Sequence, residues 1–393
     1  MLVLTTAVIF CCLIISYCIT KSIFHPAVLV NGLWGVLLAL YLFCDHPLWN
    51  LSDKFCSAVL IWVLPFSIIS LLLSQCNLSI GKVKSTYAIT DIIRYNNIFP
   101  YVFVYSVVLI FAIIYYSGGL SFAAIRSFMV EEQFPPLLTI LLYLNTFLSV
   151  YVIYGILNVE RIGYPRVVLI TLMLLILSIV KSNKTSFLAL FISIIYILYR
   201  KRKLKVSYVI LLVLVLFALL YVVTINRADY DFEADSALET FLYIYLLSPL
   251  TAFDLLLNGG VSLDVGTYGS GTLAFVYKII NTFGGDCEIA ELGTWVNVPL
   301  PTNVFTVMRG YYLNNGFFGI FAGSIVLGVI WGLLYRLQNK GYIEYVVFYA
   351  TMISSLLFQS FGDYFFYSFS MTIQYYIFSL LVVRGLRLRR FVI

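Results

Sequence analysis

The chain has 393 residues, 62% of them apolar and only 11% charged, with a mean hydropathy of +1.00. Soluble domains carry about a quarter charged residues, so this composition excludes a water-soluble globule. The net charge of +6 is spread over short connections, which excludes the clustered basic face of a nucleic-acid binder.

Continuous apolar runs recur along the chain, each long enough to cross roughly 30 Å of hydrocarbon as a helix. Lipid offers an unpaired backbone group no partner, so only helices or closed barrels span it; continuous rather than alternating apolar runs select helices. The sequence therefore predicts an all-α, polytopic membrane protein. Eleven spans fall near residues 2–20, 27–44, 55–74, 98–116, 136–158, 166–180, 186–199, 206–225, 316–335, 342–361 and 366–383. The first run has no basic stretch ahead of it and no small-residue cleavage pattern, and reads as a retained span. Breaks at His25-Pro26, Asp45-His46-Pro47, Pro135-Pro136 and Gly163-Tyr164-Pro165 have local causes, since proline stops a helix from continuing.

Lys and Arg set the orientation. If the block Arg200-Lys201-Arg202-Lys203 faces the cytoplasm and each span reverses the side, most of the 24 basic residues fall inside. Of the 18 acids, only Asp91, Glu160 and Glu344 do. The expected topology is a multi-pass inner-membrane protein, N-terminus periplasmic and C-terminus cytoplasmic. The segment 236–257 is apolar but carries Glu239, Pro249 and Asp254, and is read as an interfacial or re-entrant helix. Three regions follow: an N-terminal bundle over 1–225, a large periplasmic loop over 226–315, and C-terminal spans with a basic tail over 316–393.

Outward loops are poor in cations, so the few present are candidates for binding an anion. These are Arg126, Lys181, Lys184, Arg227 and Arg309. An Arg fork makes bidentate contacts to phosphate, and Lys adds a point charge. Pairing with nearby acids, such as Arg227 with Asp229 or Asp231, and snorkelling of Lys181 are the plainer alternatives. The spans hold almost no ionisable side chain, which argues against an ion-coupled transporter. Asn145, Gln359 and Gln374 are expected to bond between helices. Asp229-Tyr230-Asp231 has a spacing that can hold a divalent cation against a diphosphate, although a solvated loop face explains it equally simply. No cysteine spacing points to zinc; Cys44 and Cys56 flank one short loop, which leaves pairing between them open. His25 and His46 fall on opposite sides of the membrane, so a histidine-based dyad is not expected.

The run Pro301-Thr302-Asn303-Val304-Phe305-Thr306-Val307-Met308-Arg309-Gly310-Tyr311-Tyr312-Leu313-Asn314-Asn315-Gly316 resembles the C-terminal signature of the O-antigen polymerases, also called oligosaccharide repeat-unit polymerases. The turn Ser182-Asn183-Lys184-Thr185-Ser186 and the stretch from Tyr245 through Ser248-Pro249 to Asp254 agree with it, as do the length, the span count and the late outward loop. Two positions depart from that pattern: Lys184 stands where Arg is common, and Asn314 where Asp often precedes x-Gly. The resemblance implies a membrane glycosyltransferase of the GT-C-like class. It would move a glycan from undecaprenyl diphosphate onto another lipid-linked repeat unit on the periplasmic face, releasing undecaprenyl diphosphate. An O-antigen ligase and a polysaccharide flippase are the alternatives.

Under that resemblance, Arg309, Arg126, Asp229 and Asp231 are the catalytic candidates. Lys184, Arg227, Thr302, Asn303, Tyr311 and Tyr312 are the substrate-binding ones. Asp254 and Glu239 stand beside Asp229 and Asp231 as possible bases. No cofactor is expected, because diphosphate leaves well once cations stabilise it. The expected partners are undecaprenyl-diphosphate-linked glycans, inner-membrane lipid, and a chain-length regulator and flippase of the same pathway.

Overall fold

A computed structural model describes residues 1–76, 89–131, 134–181, 184–205, 207, 243, 246–263, 266–290, 294–299 and 301–385. These residues are overwhelmingly helical, and the only strands among them are two of two residues each. In chain order the helices are α1 (Leu2–Thr20), α2 (Pro26–Phe43), α3 (Asp53–Gln75), α4 (Ile89–Tyr116), α5 (Phe122–Glu131), α6 (Pro136–Leu157), α7 (Val159–Ile162), α8 (Tyr164–Val180) and α9 (Lys184–Arg200). There follow α10 (Ser248–Leu257), α11 (Ser270–Thr282), a small hairpin of β1 (Val296–Asn297) and β2 (Pro301–Thr302), α12 (Met308–Asn339), α13 (Ile343–Met352), α14 (Ser354–Leu357) and α15 (Phe369–Gly385). Six of the described helices are long and apolar enough to cross a bilayer, and five shorter ones are apolar as well. The chain is a multi-pass helical membrane protein, as its composition requires.

The predicted spans and the helices agree closely in the first half. Local chemistry sets the ends there: Pro26 takes the first turn of α2 while His25 Nδ1 accepts the Ala27 N–H at 3.2 Å, and the Ser52 hydroxyl accepts the Phe55 N–H to start α3. The predicted span 206–225 lies outside the described residues. Helix α5 occupies what the sequence reads as an outward loop. The span expected at 342–361 is instead two pieces, α13 and α14. Helix α10 has ten residues, about 15 Å, too short to cross hydrocarbon. Cys44 and Cys56 are both free thiols, so the bridge considered for them does not form.

The chain divides into two compact units. The first comprises Met1–Gly81, Ala234–Lys340 and Ser355–Thr372. Its backbone is the pairing of α3 with α12, made close by Gly328 and Gly332. A Cβ at Gly328 would stand 3.0 Å from the Phe66 carbonyl oxygen, and one at Gly332 3.0 Å from Ser70. Small residues at such a crossing let two spans approach backbone to backbone, where dispersion does the work that the hydrophobic effect cannot do in lipid. Polar ties complete it: Asn31 Nδ2 donates to Ser67 Oγ at 2.9 Å, and the Trp34 and Trp62 indoles donate to Gln359 Oε1 at 3.1 and 3.0 Å.

The second unit comprises Lys82–Glu233, Gly341–Ser354 and Ile373–Ile393. Tyr95 and Tyr151 stack at 4.1 Å, and the Tyr151 hydroxyl donates to the Tyr95 carbonyl at 2.8 Å. Thr146 donates to Gln374 Oε1 at 2.8 Å, joining α6 to α15. Gln359 and Gln374 therefore bond between helices as the sequence predicts. The buried side-chain carbonyl oxygen of Asn145 accepts no hydrogen bond among the described residues.

Candidate functional site

Helix α12 is interrupted near its start. Asn315 (φ −145°, ψ 23°) and Gly316 (φ +59°, ψ −141°) leave helical geometry, so a short helical segment from Met308 precedes the long span proper. Gly316 sits in the left-handed region that a side chain resists. After the break the short segment packs back on the span: a Cβ at Gly319 would stand 2.0 Å from the Tyr311 carbonyl oxygen, and one at Gly323 2.3 Å from the Tyr311 ring. Both glycines are therefore required for Tyr311 to lie where it does. Asn314, anomalous by the sequence pattern, accepts the Gly269 N–H at 2.9 Å and so ties this segment to the start of α11.

The loop leading into α12 is held by the turn after α14, through the Val307 N–H donating to the Gln359 carbonyl at 2.7 Å. Between this loop and that turn lies a cavity of about 430 Å³, walled by Asn303, Phe305, Thr306, Arg309, Asp363 and Tyr364 among others. Arg309 is 5% exposed, and its guanidinium carbon stands 4.3 Å from the Phe305 ring centroid, a cation–π contact. Thr306 is 1% exposed, and its hydroxyl has no hydrogen-bond partner among the described residues. A buried, unsatisfied hydroxyl in a cavity wall is a group whose desolvation only a ligand or water repays.

Asp363 supplies the opposite charge. Its Oδ1 accepts the N–H groups of Phe365 and Phe366, both at 2.9 Å, and its Oδ2 accepts the Tyr311 hydroxyl at 2.8 Å. Desolvation nevertheless holds its carboxyl above the usual carboxylate range, against the opposing pull of those three hydrogen bonds. The cavity lining thus includes a shielded cation and a poorly solvated carboxyl.

The sequence-predicted residues divide accordingly. Arg309 and Asn303 line the cavity. Tyr311 stands behind it, with its hydroxyl on Asp363. Thr302 is 2% exposed and its hydroxyl accepts the Val304 N–H at 3.2 Å, shaping the loop. Tyr312 packs edge-on against Phe253 and Phe317, at 6.0 and 5.9 Å between ring centroids. Arg126, half-buried on α5, and Lys184, which opens α9, belong to the second unit. Arg227, Asp229, Asp231 and Glu239 lie outside the described residues. Asp254 is committed to structure: it accepts the Ser52 N–H at 2.9 Å, the Ser52 hydroxyl, and Asn258 Nδ2 at 3.0 Å, binding α10 to the start of α3.

Asp363 and Thr306 are the residues that sequence reasoning missed. A signal for Asp363 existed, since alternation of the spans puts the turn between the last two on the same side as Arg309. Among the described residues, no three His, Cys, Asp or Glu side chains gather where they could hold a metal ion.

No curated protein and no solved structure matches this chain. The O-antigen polymerase family model matches residues 6–359, nearly the whole length, and includes the loop, Arg309 and the kinked start of α12. The chain belongs to the O-antigen polymerase family.

Proposed function

We propose that this protein extends O-antigen by transferring a growing glycan from undecaprenyl diphosphate onto a second lipid-linked repeat unit, releasing undecaprenyl diphosphate. The reaction takes place on the periplasmic face of the bacterial inner membrane, with the N-terminus outside and the C-terminus inside. The observation that carries this reading is Arg309, buried against Phe305 in the cavity wall. Negative charge develops on the diphosphate as the glycosidic bond breaks. A fixed guanidinium in a water-poor site stabilises that charge without reorganising at the moment of reaction. Asn303 and Thr306 line the same cavity, and the unfilled hydrogen-bonding capacity of the Thr306 hydroxyl supports a role for them in orienting sugar or phosphate oxygens. The chemistry is written without a metal or cofactor; Arg126, Lys184 and Arg227 remain candidates for further contacts to the lipid diphosphates, and Asp229 and Asp231 for acid–base work or a divalent cation. A chain-length regulator and a flippase of the same pathway are the proposed protein partners.

The test is transfer by purified protein in nanodiscs, supplied with a synthetic polyprenyl-diphosphate repeat unit. The reading expects products of two and more units together with stoichiometric polyprenyl diphosphate. Arg309→Ala should lower the rate by about 100-fold or more, the scale of losing one preorganised charge-stabilising group. Transfer to a lipid A core acceptor, with no transfer between repeat units, would identify a ligase instead.

A further inference from the structure

We propose that Asp363 is the base that takes the proton from the acceptor hydroxyl in this transfer, an assignment that rests on the polymerase reading above. Asp363 lines the same cavity as Arg309, so donor charge and acceptor proton are handled in one space. The geometry also states which oxygen acts. An ionised carboxylate has about four lone-pair sites. Oδ1 uses two on the Phe365 and Phe366 N–H groups, and Oδ2 uses one on the Tyr311 hydroxyl. One site on Oδ2 is left for an incoming O–H. The three hydrogen bonds come from rigid donors, two of them backbone and the third a tyrosine wedged on Gly319 and Gly323, so the carboxyl cannot swing away. Desolvation raises its proton affinity in the direction a base needs.

The step balances without another reactant. The acceptor oxygen bonds to the donor's anomeric carbon as that carbon's bond to the diphosphate oxygen breaks, and the electron pair leaves with the diphosphate. The acceptor proton passes to Asp363 Oδ2 and from there to water. Tyr311 from α12 donates to Asp363, and the other titratable or charged groups of the cavity lining are Arg309 from α12 and Tyr364 and Tyr367 from the turn. Asp254, the buried carboxylate of α10, is the contrasting case: it takes as many hydrogen bonds, from Ser52 and Asn258, but it does not line the cavity.

The experiment follows transfer from pH 4 to 9 in nanodiscs, using the full chain and the synthetic polyprenyl-diphosphate repeat unit, with thermal unfolding as the folding control. Asp363→Asn keeps the shape and a carbonyl acceptor for the backbone N–H groups. It is expected to lower kcat by about 100- to 1,000-fold with little change in KM, and to remove the acid limb of the profile. Asp363→Glu should retain transfer with a displaced acid limb, and added formate should partly restore Asp363→Ala; a purely structural role would produce neither effect. Transfer by Asp363→Asn within about three-fold of wild type, with the same acid limb, overturns the assignment and leaves the polymerase reading standing. If Asp363→Asn fails to fold, Asp363→Glu decides alone, and an undisplaced limb overturns the assignment. Wild-type protein that transfers nothing overturns the polymerase reading, and the base assignment with it.

Discussion

The Tyr311 hydroxyl donates to Asp363 Oδ2 at 2.8 Å, joining the short first segment of α12 to the turn that precedes α15. This bond positions the carboxyl of a residue that lines the same cavity as Arg309. It favours the ionised form of Asp363, because a donor stabilises the charge it points at. Tyr311→Phe should therefore raise the carboxyl's pKa further and shift the acid limb of the transfer rate to higher pH. A pH–rate profile checks this, and an unmoved limb would mean that the bond does not act on the reacting form.

Asp363 also makes stability depend on pH. Its folded-state pKa is raised, so the native protein holds the proton more tightly than the unfolded chain does. The stability gained from that proton is fully present below the ordinary carboxylate value of about 4 and is lost as pH rises through the raised value. On going from about pH 4 to about pH 7, the thermal midpoint of wild type should fall relative to that of Asp363→Asn. Thermal unfolding in nanodiscs at several pH values reads it directly; parallel curves for the two proteins would be inconsistent with a desolvated carboxyl.

The two glycines under Tyr311 should not tolerate a methyl group. Gly319→Ala meets the Tyr311 backbone oxygen at 2.0 Å, and Gly323→Ala meets its ring at 2.3 Å. The ring has some freedom to move and the backbone has less, so Gly319→Ala is expected to be the worse. Overpacking of this kind costs about 1–3 kcal/mol and occasionally more. Membrane-fraction yield and thermal midpoint should rank wild type above Gly323→Ala above Gly319→Ala, and the reverse order for the two variants would refute the packing described.

Gln359 serves the first unit twice. Its side-chain oxygen takes both the Trp34 and Trp62 indole N–H groups, and its backbone carbonyl holds the Val307 N–H beside the cavity. Gln359→Leu leaves two buried donors without an acceptor, at a cost of roughly 1–3 kcal/mol each. The thermal midpoint should drop and tryptophan emission should change. Gln359→Glu keeps the acceptor and should retain more stability; equal loss in both variants would remove the hydrogen bonds as the cause.

The sequence made some of this legible and hid the rest for identifiable reasons. The helices α1 to α4, α6, α8 and α9 each hold a long apolar run bounded by proline or polar clusters, so composition located them, though α4 starts at Ile89, in a polar stretch ahead of its apolar run. Gln359 was visible as an amide in an apolar run, and Arg309 as a cation in a segment where cations are scarce. The break between α13 and α14 was not, because it falls at Ile353, an apolar residue within an apolar run. Asp363 escaped for a different reason. A turn of a few residues between two apolar runs reads as a connection, and only the fold of Tyr311 over Gly319 and Gly323 turns it into a cavity wall. Tyr311 and Tyr312 are alike in the sequence, and only the fold separates them: the Tyr311 hydroxyl bonds Asp363, while the Tyr312 ring packs on Phe253 and Phe317.

Orientation is open to a direct check. A periplasm-active reporter fused after Gly260 should be active, and one fused after Lys203 silent. The opposite pattern would place the Arg309 cavity on the cytoplasmic side, against the proposed reaction on the periplasmic face.

The central claim is that Arg309 in its cavity drives chain extension, and the O-antigen ladder of a strain lacking this protein tests it most directly. Without the protein, lipopolysaccharide should carry a single repeat unit and no ladder. Wild type should restore the full ladder, and Arg309→Ala, present in the membrane at equal amount, should leave the single unit. A full ladder with Arg309→Ala, or loss of even the single unit in the deletion strain, would contradict the account.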